Sequence, residues 1–136
     1  QGQLSSAPNM VAQWAAIAAL TGPCTDVDGF INTYAERRRK SAAILQSAPG
    51  ISCPLPDGAF YLFPSCQDLL GKKTSQGKTI DSDAAFASEL LNNEGVAVVP
   101  GSAFGVPGHF RTTFAIATDA LIEASNRIKR FAESLA

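Results

Sequence analysis

Four helices packed on a small mixed or antiparallel sheet, an α+β fold, is what this sequence predicts. Apolar residues recur every three or four positions in four separate stretches. Two or three short runs, among them AFYLF, VAVV and the alternating RTTFAIA, have strand character and are bounded by Gly and Pro. Helices and strands follow one another without the strict βαβ rhythm of a parallel sheet. The 136 residues suffice for a domain with a real core. No internal repeat, phosphate-binding loop, dinucleotide fingerprint or G-x-S-x-G elbow is present.

The elements follow in order. Ser5 and Ser6 suit a helix N-cap, and Pro8 suits the first turn of the helix they would open. Met10, Val11, Trp14, Ile17 and Ala18 then keep helical spacing up to the stop at Gly22 and Pro23. The opposite side is alanine-rich, which suits a helix clamped between two bodies. Thr25 and Asp28 resemble a capping box for a second helix running to about Ser47. Its middle carries Arg37, Arg38, Arg39 and Lys40, read as a solvated face in preference to a phosphate site. Residues 51–53 form a short strand candidate, and Pro54, Pro56, Asp57 and Gly58 make a turn into the stronger strand at 59–63. Residues 68–71 suit one helical turn, and the polar stretch 72–81 reads as a mobile surface loop. Ser82 caps a third helix, with Asp83 at its positive end, Phe86, Leu90 and Leu91 as its buried stripe, and Gly95 as its stop. Strands at 96–99 and 110–117 follow. Thr118 caps the last helix, in which Leu121, Ala124, Ile128, Phe131 and Leu135 step by three and four.

Composition excludes several function classes. The net charge of −1 gives no basic surface for nucleic acid or an acidic membrane. The apolar stretches are too short to span a bilayer. The first ten residues lack the basic start and apolar core of a signal peptide. Cys24, Cys53 and Cys66 are odd in number and scattered, which argues against a disulfide framework or a cysteine-rich zinc site. A reduced, cytoplasmic protein is expected. The one histidine, His109, argues against a histidine-based metal cluster.

The most informative stretch is PGSAFGVPGHFR, residues 100–111, between the last two strands. It is too long and glycine-rich for a minimal hairpin turn. Gly101 and Gly105 permit backbone angles closed to other residues and close approach to the main chain. The loop delivers Arg111 to the mouth of a strand. A guanidinium fixed there can grip the carboxylate of an amino-acid substrate through two parallel hydrogen bonds. Its ordinary alternatives are a surface residue or one member of a structural ion pair.

Five segments, SSAPNMVAQWAAIAALTGP, ERRR, PDGAFYLFPSC, LLNNEGVAVVPGSAFG and FRTTFAIATDALIEASNRIKRF, stand in an order that covers nearly the whole chain. In that order the chain resembles the C-terminal part of a fold-type I, pyridoxal-phosphate-dependent aminotransferase, in particular the bacterial aspartate aminotransferases. The resemblance implies that Arg111 binds the substrate α-carboxylate. It implies that Phe60 lines the substrate cleft, with core packing as the alternative. Ser6 matches a position close to the partner subunit's cofactor phosphate, although Ala7 stands where the family often has asparagine. Ser102 lies on a loop near the cleft and receives no chemical role. The family's Schiff-base lysine and the acidic partner of the pyridinium nitrogen match no residue here, so no catalytic residue is assigned. No metal site is assigned either.

The resemblance further implies residues 1–24 as a helix leading in from a large domain and residues 25–136 as the small domain. Pyridoxal 5'-phosphate would be bound mainly by that large domain, in a homodimer of the full-length enzyme. The implied activity transfers an amino group between an amino acid, aspartate foremost, and a 2-oxo acid such as 2-oxoglutarate. Aromatic and glutamine-type substrates stay open, as does a non-catalytic binding or assembly module of the same fold. On the aminotransferase reading the isolated chain is an inactive fragment.

Overall fold

The computed structural model describes residues 7–23 and 25–136. Two compact units divide the chain, Gln1–Asn32 and Thr33–Ala136. Among the described residues no helix is long and apolar enough to cross a membrane.

The first unit holds helix α1, Met10–Thr21, and the beginning of α2, Thr25–Gln46. The cap of α1 is Asn9, whose side chain accepts from the Ala12 N–H at 2.9 Å. This corrects the expected cap at Ser5 or Ser6, which lie outside the described residues. The short amide of Asn9 lies three residues before the orphan N–H it satisfies, and the serines are too early. No residue of α1 is buried, and Trp14 is 65% exposed. Thr25 is the first residue of α2 and not its cap; position 24 lies outside the described residues.

In the second unit α2 continues past the arginine run. Arg39 and Lys40 are exposed, as a solvated face requires, and Lys40 pairs with Glu36 one turn earlier. Arg37 and Arg38 instead turn toward protein. The Arg37 Nε donates to the Thr118 hydroxyl at 3.1 Å, and Arg38 donates to the Pro56 carbonyl at 2.7 Å. The strands are β1, Tyr61–Leu62, β2, Val99–Pro100, and β3, Phe110–Thr113. Their order is β1-β3-β2 with both pairings antiparallel, so the three-stranded sheet is antiparallel and not mixed. Each strand is shorter than the sequence pattern suggested. Residues 51–53 contribute one bridge, Ser52 to Ser65, and β3 ends before Ile116, which is exposed. Apolar alternation marks where side chains point, but a ladder lasts only as long as a neighbouring strand supplies partners.

Helices α3, Asp83–Glu94, and α4, Thr118–Ser134, complete the unit. Ser82 caps α3 by accepting from the Ala85 N–H, and Gly95 ends it in the left-handed conformation, both as expected. The buried stripe of α3 is Phe86, Ala87 and Leu90; Leu91 is 50% exposed. At about 100° per residue the buried positions Asp83, Phe86, Ala87, Glu89 and Leu90 span one side of the helix, and Leu91 falls just past the edge of that arc. On α4 the residues Leu121, Ile128 and Phe131 are buried, Leu135 just beyond its end is buried too, and Ala124 packs against the core. Thr118 does not cap α4. Ala117 occupies the cap position without a side-chain bond, and the Thr118 hydroxyl serves Arg37 instead.

The stretch 72–81 is not a free loop. Lys73 bridges to Thr79, and Lys73 exchanges two backbone hydrogen bonds with Ala136. Ile80 is buried, and Lys78 pairs with the buried Glu89 of α3. That lysine holds the Glu89 carboxyl below its ordinary pKa, chiefly through their hydrogen bond.

Phe86 is central to the core: its ring lies 5.1 Å from Phe110, near-parallel, and 5.4 Å from Phe131, edge-on. Phe86→Ala should therefore cost about 3–5 kcal/mol, the range for a large aromatic deleted from a packed core. Leu91→Ala should cost less than about 1 kcal/mol, as at other half-exposed sites. Urea midpoints of the two variants compare them directly, and equal losses would contradict this assignment of the α3 stripe.

Candidate functional site

Register sets the site. Arg111 pairs with Val99 on β2, while Tyr61 on β1 pairs with Thr113. Alternation along β3 turns Phe110, Thr112 and Phe114 to one face and Arg111 and Thr113 to the other. Phe110 and Phe114 are buried beneath the sheet. Arg111, half-buried, stands on the opposite face with the Tyr61 side chain diagonal to it.

The guanidinium is held between two aromatic rings. Its carbon lies 4.4 Å from the centroid of Tyr61 and 4.4 Å from that of Phe104. The rings belong to a longer series. Phe60 lies 4.5 Å from Tyr61, Phe104 meets Phe63 edge-on at 6.1 Å, and Phe63 stacks on His109 at 5.4 Å. Each ring turns a negative face or positive edge to its neighbour, and the cation occupies the place where negative faces converge. Among the described residues the Arg111 side chain has no hydrogen bond and no carboxylate partner. Ring contacts of this kind leave the guanidinium N–H groups available to a ligand. The carboxylate is the group that fits them, two oxygens to two donors. Arg111 also borders a cleft of about 520 Å³ that runs between the sheet and α4, with Tyr61, Thr112, Ala124 and Ile128 in its walls; Phe60 and Phe104 do not line it.

The loop from residue 100 to 109 places Phe104. Residues Gly101–Phe104 form a 3-10 turn. Gly101 is buried, its N–H donates to the His109 carbonyl at 2.7 Å, and its carbonyl accepts from Val106 at 3.0 Å. A Cβ on Gly101 would collide with the Val106 carbonyl and lie 2.8 Å from that of His109. So the close approach that Gly101 allows is the loop's own return strand. Gly105 follows in the left-handed region at φ 74°, the backbone angle that Gly101 was also expected to need and does not.

Of the residues singled out from sequence, the structure brings together Arg111 on β3 and Phe60 just before β1, linked through Tyr61. Phe60 is 47% exposed, so core packing is not its role. Its carbonyl accepts from Phe114 N–H at 3.0 Å and from the Thr113 hydroxyl at 3.1 Å. The turn that presents it strains Ala59 rather than Gly58, with φ 59°, a conformation that costs a side-chain-bearing residue about 1–2 kcal/mol. Ser6 lies outside the described residues. Ser102 is exposed, and its backbone N–H, not its hydroxyl, has a partner: the Asp83 carboxylate at 2.6 Å. Tyr61, Phe104 and Asp83 were missed as site residues. Tyr61 could have been found from its place beside Phe60; nothing local marks the other two.

The chain's lysines do not provide an anchor for an aldehyde cofactor at this site. Lys40 is paired with Glu36, Lys78 with Glu89, and Lys129 with Ser47 and Glu133. None of the five lysines lines the Arg111 cleft.

A small antiparallel sheet carrying helices, with an arginine set between two aromatic rings, defines an α+β domain. Comparison with known proteins gives its family. Residues 2–128 match the family described as aminotransferase class I and II, and the chain belongs to that family. It is 47% identical over 131 residues to a probable aspartate/prephenate aminotransferase of Rhizobium leguminosarum bv. phaseoli, covering 96% of this chain and 33% of that protein. It is 42% identical over 135 residues to an aspartate/prephenate aminotransferase of Cereibacter sphaeroides, covering 99% and 34%. The crystal structure of the Rhizobium meliloti aspartate aminotransferase superposes with a TM-score of 0.93 at 38% identity, over 99% of this chain and 34% of that one. The chain thus spans about a third of the length of the curated relatives it matches.

If the loop is a rigid mount for Phe104, Gly101→Ala should destabilise the protein by about 1–3 kcal/mol through overpacking. Gly105→Asn, in open space and with a residue that tolerates the left-handed region, should cost less than about 1 kcal/mol. Thermal unfolding of both variants decides the matter. An unchanged Tm in Gly101→Ala would show that the loop yields freely.

Proposed function

We propose that this chain is the substrate-recognition part of a pyridoxal-phosphate-dependent aminotransferase. The reaction moves an amino group between an amino acid, aspartate foremost, and a 2-oxo acid such as 2-oxoglutarate. One observation carries the reading: a guanidinium fixed between two rings that, among the described residues, has no carboxylate partner. The names of the relatives, aspartate and aspartate/prephenate aminotransferase, support it. Amino acids and their 2-oxo partners share a carboxylate next to the reacting carbon. Arg111 would hold that carboxylate and so fix the direction in which the reacting carbon points. Phe60, exposed just before β1, would shield the substrate from water.

Pyridoxal 5'-phosphate is implied by the family, and the paired or remote lysines here support its being held by the rest of a longer protein. The Schiff-base lysine would lie there too, leaving this chain inactive alone. Residues 1–24 would lead in from that large domain and 25–136 would form the small one. The exposed Met10, Trp14 and Ile17 support assembly of the full-length protein as a homodimer. Cys53 and Cys66 are free and buried, and burial pushes their thiols up to about 11 and about 12, the negative charge of Asp83 adding to the second. Inert reduced thiols support a cytoplasmic location.

Arg111→Lys in the full-length protein tests the reading. Lysine keeps the charge and loses the planar fork. Losing one partner of a desolvated charge pair costs about 2–5 kcal/mol, so kcat/KM should fall by a factor on the order of tens to thousands. The loss should appear for every amino-acid and 2-oxo-acid substrate, with the cofactor absorbance unchanged. A loss confined to dicarboxylic substrates would assign Arg111 to the side chain, and no loss would make it structural.

A further inference from the structure

The proposed function leaves Asp83 without a task, yet its placement is unusual. It is a charged residue only 3% exposed, and among the described residues it has no cationic partner. We propose that Asp83 is a positioning residue for the substrate carboxylate: its side chain fixes the 3-10 turn that seats Phe104 against the Arg111 guanidinium. This rests on the reading of Arg111 given above.

An uncompensated buried carboxylate is expensive, and it persists only where donors replace its water. Asp83 has two backbone donors from different parts of the chain. One oxygen accepts from Ala84 in the first turn of α3, at 3.1 Å, and the other accepts from Ser102 at 2.6 Å. The second distance is that of a strong, charge-assisted bond. The first turn of α3 adds the positive end of a twelve-residue helix.

At the other end of this bond the need is equally clear. The leading N–H groups of a helical turn have no partner within it. In Gly101–Phe104 the first is taken by the His109 carbonyl and the second by Asp83. Gly105 closes the turn by donating to the Ser102 carbonyl at 3.1 Å. The turn is thus tied on one side to β3 and on the other to α3. Phe104, two residues beyond Ser102, is 45% exposed, so its ring has little packing of its own to hold it over Arg111. Its supports are the edge of Phe63 and the backbone that Asp83 pins. Asparagine would fill the same space with one acceptor oxygen instead of two, so one of the two N–H groups would face an amide NH₂.

The test is a double-mutant cycle in the full-length protein with its cofactor, using Asp83→Asn, Phe104→Leu and both together. Steady-state kinetics would be run on several amino acids, with the cofactor spectrum and Tm as controls. Asp83→Asn should lower kcat/KM about tenfold, mainly by raising KM, because the substrate's carboxylate contact is loosened. Phe104→Leu should act similarly, and the double variant should be no worse than Phe104→Leu alone, since the two act through one contact. Ser102→Ala keeps the N–H and should behave as wild type. Effects that multiply, or a KM unmoved by Asp83→Asn in folded protein, would overturn the proposal. An unchanged KM in Phe104→Leu would overturn it even if Asp83→Asn failed to fold. Impairment of Arg111→Lys without impairment of these two would refute the positioning role alone; an unimpaired Arg111→Lys would refute the carboxylate reading beneath it.

Discussion

A half-buried cation that has no counter-charge among the described residues is the constraint around which this face of the sheet is arranged. A guanidinium withdrawn from water needs either a carboxylate or a polarisable surface. In this chain it has the faces of Tyr61 and Phe104, both at 4.4 Å. Such contacts are worth about 0.5–2 kcal/mol each, enough to orient a side chain but too little to satisfy it fully. What remains, among the described residues, are guanidinium N–H groups without an acceptor. A salt bridge from a neighbouring acid would occupy those donors.

Much of the surrounding fold follows from holding those two rings still. Tyr61 is fixed by strand pairing, since β1 and β3 share a register in which it faces Thr113. Phe104 comes from a loop, where pairing offers no help. The loop is stiffened instead by a buried glycine that admits the His109 and Val106 carbonyls, and by a carboxylate reaching across from α3. Beneath the sheet, Phe86, Phe110 and Phe131 pack ring on ring and give α3, α4 and β3 one common core. The site therefore stands on a packed layer, although one of the two rings against Arg111, Phe104, lies on a 3-10 turn.

Features fixed by local chemistry were legible in the sequence. Ser82 capping α3, Gly95 ending it, the stripe Leu121, Ile128 and Phe131 on α4, and Arg111 at a strand mouth all depend on residues a few positions apart. The family was legible from the order of five segments, each weak alone. Features fixed by distant partners were not. The Thr118 hydroxyl is engaged by Arg37, 81 positions away, which no cap preference could reveal. The polar stretch 72–81 looked mobile because its restraints are the chain's last residue and the buried Glu89. Phe104 and Asp83 were invisible as site residues for the same reason. One becomes meaningful only when β3 brings Arg111 over it, the other only when α3 meets the loop.

The central claim is that Arg111 receives a carboxylate in the plane of its guanidinium, between the two rings. A crystal structure of the full-length protein with a bound amino acid or 2-oxo acid tests it most directly. The account predicts the ligand's carboxylate coplanar with the guanidinium, with two N···O distances of about 2.7–2.9 Å and both rings still stacked. A carboxylate bound elsewhere, with Arg111 paired to an acidic side chain of the protein, would contradict it.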